Sequence, residues 1–447
     1  MAWRLFEAET PDPAPPKAVG LRYRSTDRAT GTLVYVGTEP RTDAARAEFG
    51  QALLRAGVRA ERSVEPTLAE AVANSVAGVR AEKGGSQSAS PLTPALALLQ
   101  NLRGLQGAKN PPDFAEIIER MYILGGGRAE DRSAAEMWLQ ASELRMHLDP
   151  LLASIDRAID EQLVVGRRVR RPIPEIARKQ DDHLFLAGTP FSWFRRSWDL
   201  LCDRVWVEAL PARVWVDWAT TLLRLAVGLG FLWESSWNES LARRVVSPGG
   251  ERITQVDVLR GMDTVLPWRS SRLGVQGRDI AGLLNRRIAR SELVRRAVMA
   301  WHDDLSVVDG QVFDSIAPQM REDSNLRQQL GEALIGRDSN SASNVREAVR
   351  YALRVREAAG PFADYYGVLR QNGRYLTVDP GTEWIAVVAS LACGVPGATT
   401  DVAAIARDLD EMGLRPELND LVALLERAGL ARGSADADQG VVVESAF

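Results

Sequence analysis

Tryptophan is concentrated in one part of the chain, and this concentration constrains the fold more than any other sequence feature. Seven of the twelve tryptophans lie within residues 191–237. They are Trp193, Trp198, Trp206, Trp215, Trp218, Trp233 and Trp237. Each indole brings a large apolar area and one N–H donor that needs a partner when it is buried. With the leucines and valines between them, these rings predict the main hydrophobic core, in which Pro211 divides two helices.

A nearly apolar stretch inside this region, Val214–Trp233, is about long enough to span a bilayer. It contains Asp217 and Arg224, and one charge near the centre of a spanning helix costs about 2.5–3.5 kcal/mol. That cost favours a helix buried in protein over a membrane span. The two cysteines are too few for a disulfide framework or a Cys-rich zinc site, and the N-terminus lacks an apolar leader. We therefore expect a cytoplasmic protein without a membrane partner.

The spacing of apolar residues predicts a mainly α, multi-domain helical protein. Four regions are expected: a small α+β N-terminal region at residues 1–82, a helical block at 91–190, a tryptophan-rich helical core with an arginine-rich segment at 191–375, and a C-terminal module at 380–447. The β content of the first region rests on the runs Leu21–Ser25 and Thr32–Gly37. The Gly/Ser-rich run Lys83–Ser90 indicates a linker after it.

Three further segments complete the expected secondary structure. Residues 251–301 are expected to be helical and rich in arginine. Residues 322–344 are polar and indicate a connection between helices. A helix is expected from Ser343 to Ala359, where Gly360 and Pro361 end it.

The C-terminal module has the sharpest pattern of capping and stop residues. Three helices are expected: Glu383–Ala392, a second that follows Asp401 and stops at Gly413, and a third with Pro416 in its first position that ends at Gly429. The third helix is expected to bury Leu418, Leu421, Val422 and Leu425. A polar turn and the β-run Val441–Glu444 follow. Three helices followed by a hairpin resemble a winged-helix domain in element order and spacing, and this resemblance implies a fold without naming a family.

The chain lacks the usual catalytic signatures. It has no G-x-x-x-x-G-K-[ST] phosphate loop and no G-x-S-x-G nucleophile motif. The run Trp301-His302-Asp303-Asp304 is a dense titratable run with a histidine. A histidine beside two carboxylates suits a general base or a metal ligand. The interpretation that we favour is a helix C-terminus, where the histidine meets the last carbonyls. No metal and no cofactor is predicted.

Arginine clusters give the best indication of function. The chain has 55 basic and 59 acidic residues, which excludes a globally basic protein that coats nucleic acid. Four of the 55 are lysines and the other 51 are arginines, a bias that a GC-rich genome would also produce. Residues 268–301 carry eight arginines against two acids, for a net charge of +6. The predicted nucleic-acid or acidic-partner surface comprises Arg269, Arg272, Arg278, Arg286, Arg287, Arg290, Arg295 and Arg296, together with Arg167, Arg168, Arg170 and Arg171.

The C-terminal module has the opposite charge. Residues 401–447 contain ten acids and four arginines, for a net charge of −6. The third helix, which enters the DNA groove in the usual docking of such folds, carries Glu417, Asp420 and Glu426. Phosphates repel an acidic helix, so this module is expected to contact protein.

These features favour a non-enzymatic accessory subunit of a bacterial multi-protein complex that acts on DNA. One setting for such a subunit is a restriction or antiviral-defence complex. In this hypothesis the arginine face contacts nucleic acid or an acidic partner, and the acidic module docks other subunits. The alternatives are an enzyme centred on His302, Asp303 and Asp304, and a purely structural protein adaptor.

Overall fold

The structure, a computed structural model, describes residues 43–58, 71, 121–127, 134–163, 187–249, 253–302, 310–336, 343–357, 363–432 and 441–447. The β-like runs predicted between residues 21 and 37 lie outside the described residues, as do the linker Lys83–Ser90 and the cluster Arg167, Arg168, Arg170 and Arg171.

Within these ranges the fold is mainly helical with two small sheets, which confirms the predicted fold class. The helices are α1 (Asp43–Arg55), α2 (Ala134–Leu148), α3 (Pro150–Leu163), α4 (Pro190–Leu201), α5 (Arg204–Ala209), α6 (Ala212–Val246), α7 (Gln255–Arg260), α8 (Ala281–Trp301), α9 (Gly310–Glu322), α10 (Ser324–Ile335), α11 (Ser343–Leu353), α12 (Thr382–Ala392), α13 (Val402–Glu411) and α14 (Leu418–Arg427). The strands are β1 (Leu369–Asn372), β2 (Tyr375–Val378), β3 (Thr399–Asp401), β4 (Ala431–Arg432) and β5 (Val442–Glu444).

Helix α6 lies at the centre of the fold. It is 35 residues long and begins directly after Pro211, which separates it from α5 as expected. Helices α4, α8, α10 and α11 all pack on it. Within the described part of the chain it alone is long and apolar enough to cross a membrane, and 78% of its most apolar window is buried inside the protein. All seven tryptophans of the predicted core are buried, so that prediction is confirmed.

Two glycines of α6 allow its neighbours to approach closely. A Cβ atom added at Gly228 would lie 2.7 Å from the Leu353 side chain of α11, and one added at Gly230 would lie 2.5 Å from the Phe191 ring of α4. Both distances are shorter than carbon atoms tolerate. Glycine at these positions is therefore a packing requirement, and it outweighs the poor helix propensity of the residue.

The tryptophans stack on one another across helices. Trp138 of α2 lies against Trp215 with ring centroids 4.2 Å apart, and against Trp198 with centroids 5.4 Å apart. The Trp198 indole N–H donates to Ala134 O at 3.1 Å, and that of Trp215 donates to Leu201 O at 2.9 Å. The stacks add about 0.5–1.5 kcal/mol each beyond their buried area. The first hydrogen bond joins α4 to α2, and the second joins α4 to the central helix.

The charge at Arg224 is accommodated in α6 because it is paired. Its guanidinium contacts the buried Asp364 carboxylate at 2.9 Å, and the exposed fractions of the two side chains are 12% and 4%. Its Nε donates to Ala352 O at 2.9 Å, which satisfies a carbonyl at the end of α11. Arg224, one of the two charged residues that argue against a membrane span, therefore fastens α11 and the following segment to the core.

The C-terminal region begins with a β1–β2 hairpin, in which Leu369 pairs with Val378. The boundary predicted at residue 375 falls inside this hairpin. After α12, the elements β3, α13, α14, β4 and β5 follow in order. The second sheet is antiparallel with strand order β3-β5-β4. Strand β3, which the sequence pattern does not reveal, pairs along β5 and completes this sheet.

Two details of the third C-terminal helix, α14, correct the sequence prediction. The helix begins at Leu418 with Glu417 as its N-cap residue, so Pro416 precedes it and does not occupy its first position. Leu418 is 65% exposed, whereas Leu421, Leu424 and Leu425 are buried. The buried face is therefore shifted along the helix, and the first leucine points to solvent.

Three predicted boundaries are also wrong. Residues 322–344 are not simply a connection, because they contain α10, which Asp323 caps and which buries Leu326 and Leu330. Residues 261–280 are irregular and include one short 3-10 turn, so the segment 251–301 is not helical throughout. Helix α11 ends at Leu353, and backbone pairing of Val355 N with Leu369 O replaces the expected last turn.

We expect the Asp364→Ala substitution to lower the free energy of unfolding by about 3–5 kcal/mol, because it leaves the Arg224 guanidinium buried without its counter-ion. Urea denaturation followed by circular dichroism measures this change. The control is Asp410→Ala, which removes a pair with Arg415 on the surface and should cost about 0–1 kcal/mol. Equal effects of the two substitutions would contradict a structural role for the buried pair.

The Asp217 carboxyl makes stability depend on pH. Burial raises the pKa of Asp217, and the nearby Arg213 guanidinium offsets only part of this effect. Because the folded state holds this proton more tightly than the unfolded state, the contribution of Asp217 to stability falls as pH rises through the raised pKa. Asp217→Asn should therefore become more stable relative to the wild type as pH rises from about 4, the ordinary pKa of an aspartate, toward neutrality. A difference that is constant across this range in denaturant titrations would refute the prediction.

Candidate nucleic-acid interface

The first five arginines of the predicted surface, from Arg269 to Arg287, lie on the irregular segment 261–280 and on the first turns of α8. The start of this segment is fixed by Arg287, whose Nη1 donates to Thr264 O at 2.8 Å and to Val265 O at 2.5 Å. Leu266 N then donates to Gly413 O at 3.3 Å. Gly413 has a φ of 76°, a left-handed conformation that glycine adopts without strain. The segment is thereby joined to the end of α13.

The end of the segment is held by the β1–β2 hairpin. The Asp279 carboxylate accepts hydrogen bonds from Ala281 N at 3.1 Å and from Leu376 N at 2.9 Å. Ile280 N donates to Leu376 O at 2.8 Å. One carboxylate thus binds the first amide of α8 and ties this end of the helix to β2, and the 3-10 turn Gln276–Arg278 packs beside that strand.

A third contact holds the middle of the segment. The Asp420 carboxylate of α14 accepts hydrogen bonds from Ser271 N at 3.1 Å and from Ser271 Oγ at 2.5 Å. The residues on either side of this serine pair, Arg269 and Arg272, are exposed. A surface segment held at both ends and in its middle presents its side chains in a fixed arrangement.

Four arginines of this part of the molecule are available to a partner. Arg269, Arg272 and Arg286 are exposed and Arg278 is half-buried. Within the ranges that the structure describes, none of the four forms an ion pair. We call Arg269, Arg272, Arg278 and Arg286 the open arginine set. Positive charges without counter-ions attract phosphates or carboxylates from another molecule.

The other arginines of α8 are paired internally. Glu239 of α6, which is 4% exposed, contacts Arg290 at 2.7 Å, Arg243 at 3.2 Å and Arg287 at 3.6 Å. Asp263 adds a contact to Arg243 at 3.0 Å. Arg287 is 5% exposed, and burial lowers its pKa although Glu239 partly offsets this. Arg287 therefore does not share a solvent-facing surface with Arg286, contrary to expectation, and Arg290 is largely neutralised.

The last two arginines share one buried carboxylate. Glu292 is 3% exposed and contacts Arg295 at 3.3 Å and Arg296 at 2.5 Å. The Arg296 side chain is 63% exposed, whereas that of Arg295 is 19% exposed. The sequence thus groups eight arginines that the fold divides into an open set and a paired set.

The acidic C-terminal module is likewise partly neutralised within the chain. Arg196 of α4 contacts Glu411 at 2.7 Å and Asp408 at 3.1 Å. Burial raises the pKa of Asp408, and Arg196 opposes this rise. Asp401 caps α13 through Ala404 N. Among the acids predicted for protein docking, Glu417 and Glu426 are exposed, so the acidic surface is smaller than the net charge of −6 indicates.

The described residues include no metal-binding cluster that would support the enzyme alternative. His302 is the C-cap residue of α8, where its backbone N donates to Val298 O at 2.8 Å. Asp303 and Asp304 lie outside the described residues. Within the described ranges, no group of three His, Cys, Asp or Glu side chains is placed to hold a metal ion.

Comparisons of the chain with protein-family models, with curated proteins and with solved structures find no match. The open arginine set is therefore the feature from which we infer a function. Sequence reasoning missed Ser271, Asp279 and Leu376, which hold this set in place. Ser271 and Asp420 are 149 positions apart, and no local pattern links them.

We expect Glu239→Gln to lower the free energy of unfolding by about 3–5 kcal/mol, because Arg290 then loses its contact with this carboxylate, and Arg243 and Arg287 keep only Asp263. Urea denaturation measures the effect. The matched control is Glu208→Gln, which breaks an exposed pair with Arg204 on α5 and should change stability by about 0–1 kcal/mol. If Glu239→Gln is as mild as the control, the buried network does not stabilise the arginine-rich helix.

Proposed function

We propose that this chain is a non-enzymatic, cytoplasmic accessory subunit of a bacterial multi-protein complex that acts on DNA, and that it contacts the nucleic acid through Arg269, Arg272, Arg278 and Arg286. A partner subunit supplies the motor or nuclease chemistry. A restriction or antiviral-defence complex is the setting that we favour.

The observation that carries this proposal is the division of the arginines. Four guanidinium groups of residues 269–286 lack an ion pair in the described part of the chain, whereas Arg287, Arg290, Arg295 and Arg296 are paired. Arginine forks suit the planar, bidentate contacts that phosphate oxygens offer. A guanidinium cluster on a segment pinned at both ends is a preorganised phosphate-binding surface.

We further propose that residues 382–444 form a winged-helix domain that contacts protein. The order of three helices and three strands supports this, as does the sheet order β3-β5-β4. Helix α14 is the third helix of this arrangement, and Glu417, Leu418 and Glu426 are exposed on it. Carboxylates repel a duplex backbone, while an exposed leucine among polar residues suits a protein partner.

The central test of nucleic-acid contact is a triple substitution of Arg269, Arg272 and Arg286 to Gln. In fluorescence anisotropy with short labelled DNA and RNA, the wild type should bind with a steep salt dependence. The triple variant should lower the slope of log K against log salt by about 0.9 for each duplex phosphate contact that is lost. Affinity at low salt should fall by about tenfold or more.

The matched control is a triple Gln substitution at Arg204, Arg327 and Arg415, which are also exposed and change the net charge equally. This control should keep most of the affinity and most of the slope. Equal loss in both triple variants would indicate a general charge effect and would contradict the proposed surface. A different result would be that the wild type does not bind nucleic acid and that substitution of the open arginine set removes a co-purifying protein. The arginines then contact an acidic protein and not a nucleic acid.

A further inference from the structure

In the contact between α14 and the arginine-rich segment, a carboxylate is bound by the same kinds of donor that bind a phosphate. The Asp420 carboxylate accepts one hydrogen bond from a backbone amide, Ser271 N at 3.1 Å, and one from a hydroxyl, Ser271 Oγ at 2.5 Å. Arg269 and Arg272 flank these donors along the chain. Backbone amides, serine hydroxyls and arginines are the donors that proteins use for phosphodiester oxygens.

The segment around Ser271 is arranged by its own turn as well as by Asp420. Arg272 N donates to Ser270 Oγ at 3.2 Å, and Leu273 N donates to Ser270 O at 3.1 Å. The Ser271 amide takes no part in these two hydrogen bonds, so the turn leaves it to an acceptor from elsewhere. The donors are therefore present whether or not a carboxylate occupies them.

Helix α14 does not need Asp420 in order to stay in place. Leu421, Leu424 and Leu425 of the helix are buried in the core, while the hydrogen bonds of Asp420 to Ser271 lie at the exposed surface. Burial of three leucines contributes several kcal/mol, whereas an exposed polar contact contributes about 1 kcal/mol. The side chain can leave Ser271 without loss of the fold.

We propose that Ser271 N and Ser271 Oγ form a binding position for a nucleic-acid phosphate, and that Asp420 occupies this position in the free chain as an internal competitor. The inference rests on the proposed nucleic-acid function and adds a regulation of the same surface. A phosphate oxygen and the carboxylate cannot accept from the same two donors at once, and their like charges repel. Binding of the backbone therefore displaces Asp420, and anything that holds Asp420 in place weakens binding.

The test compares Asp420→Asn with Glu417→Gln in the full chain. The two positions are on the same helix or at its N-cap, and each substitution removes one negative charge, but only Asp420 contacts Ser271. Anisotropy is measured with the same labelled DNA probe across a salt series. Asp420→Asn should tighten binding several-fold more than Glu417→Gln and steepen the salt slope by up to about 0.9. If the Asn variant does not fold, Asp420→Ser takes its place.

The double variant Asp420→Asn with Ser271→Ala identifies the donor. The added affinity should disappear when the hydroxyl is removed. A gain no larger than that of Glu417→Gln, or one that persists without the hydroxyl, overturns the competitor role while the open arginine set still binds DNA. If neither the wild type nor Asp420→Asn binds any nucleic acid, the proposed function itself fails and this inference fails with it.

Discussion

The burial of α6 is the constraint on which the rest of the structure depends. A 35-residue helix that packs on four other helices must find a partner for every polar group that it takes into the core. Its neighbours supply partners for several of these groups. Asp364 pairs with Arg224, Ser291 accepts a hydrogen bond from Asn238 at 3.0 Å, and three arginines surround Glu239. Each of these contacts selects one register of packing, since a shift of one turn would leave a buried charge alone.

The parts of this fold that could be predicted from the sequence are those fixed by short-range chemistry. Tryptophan clustering predicted the core, and capping and stop residues located α12 and α13 within a few positions. Helix α10 was missed because its apolar stripe consists of Leu326, Leu330 and Ala333 among polar neighbours. Strand β3 was missed because three residues carry no periodicity, and its identity comes from pairing with β5.

The candidate site shows a different limit of sequence reasoning. Counting charges located the arginine-rich segment but did not separate Arg286 from Arg287, which are adjacent in sequence and differ completely in burial. Successive residues on a helix point about 100° apart. Arg287 follows Leu284 by three positions and precedes Ser291 by four, so it belongs to the buried face of α8. The burial of Arg287 could therefore have been predicted from the helical spacing. The pairing of Arg290 with Glu239 could not, because the two residues are 51 positions apart.

Opposite charges that are separated along the sequence meet one another in this fold. The net +6 and −6 segments were expected to face outward toward two partners, yet Arg196 binds Asp408 and Glu411, and Ser271 of the basic segment binds Asp420 of the acidic helix. Many charged side chains of this chain are paired with one another, and only a small remainder is left without an internal ion pair. Because a charge that is paired within the chain is partly neutralised, that remainder, rather than the net charge of either segment, sets the surface on which another molecule can bind. The contact of Asp420 with Ser271 lies beside the open arginine set, and it is there that the phosphate we propose competes with the carboxylate.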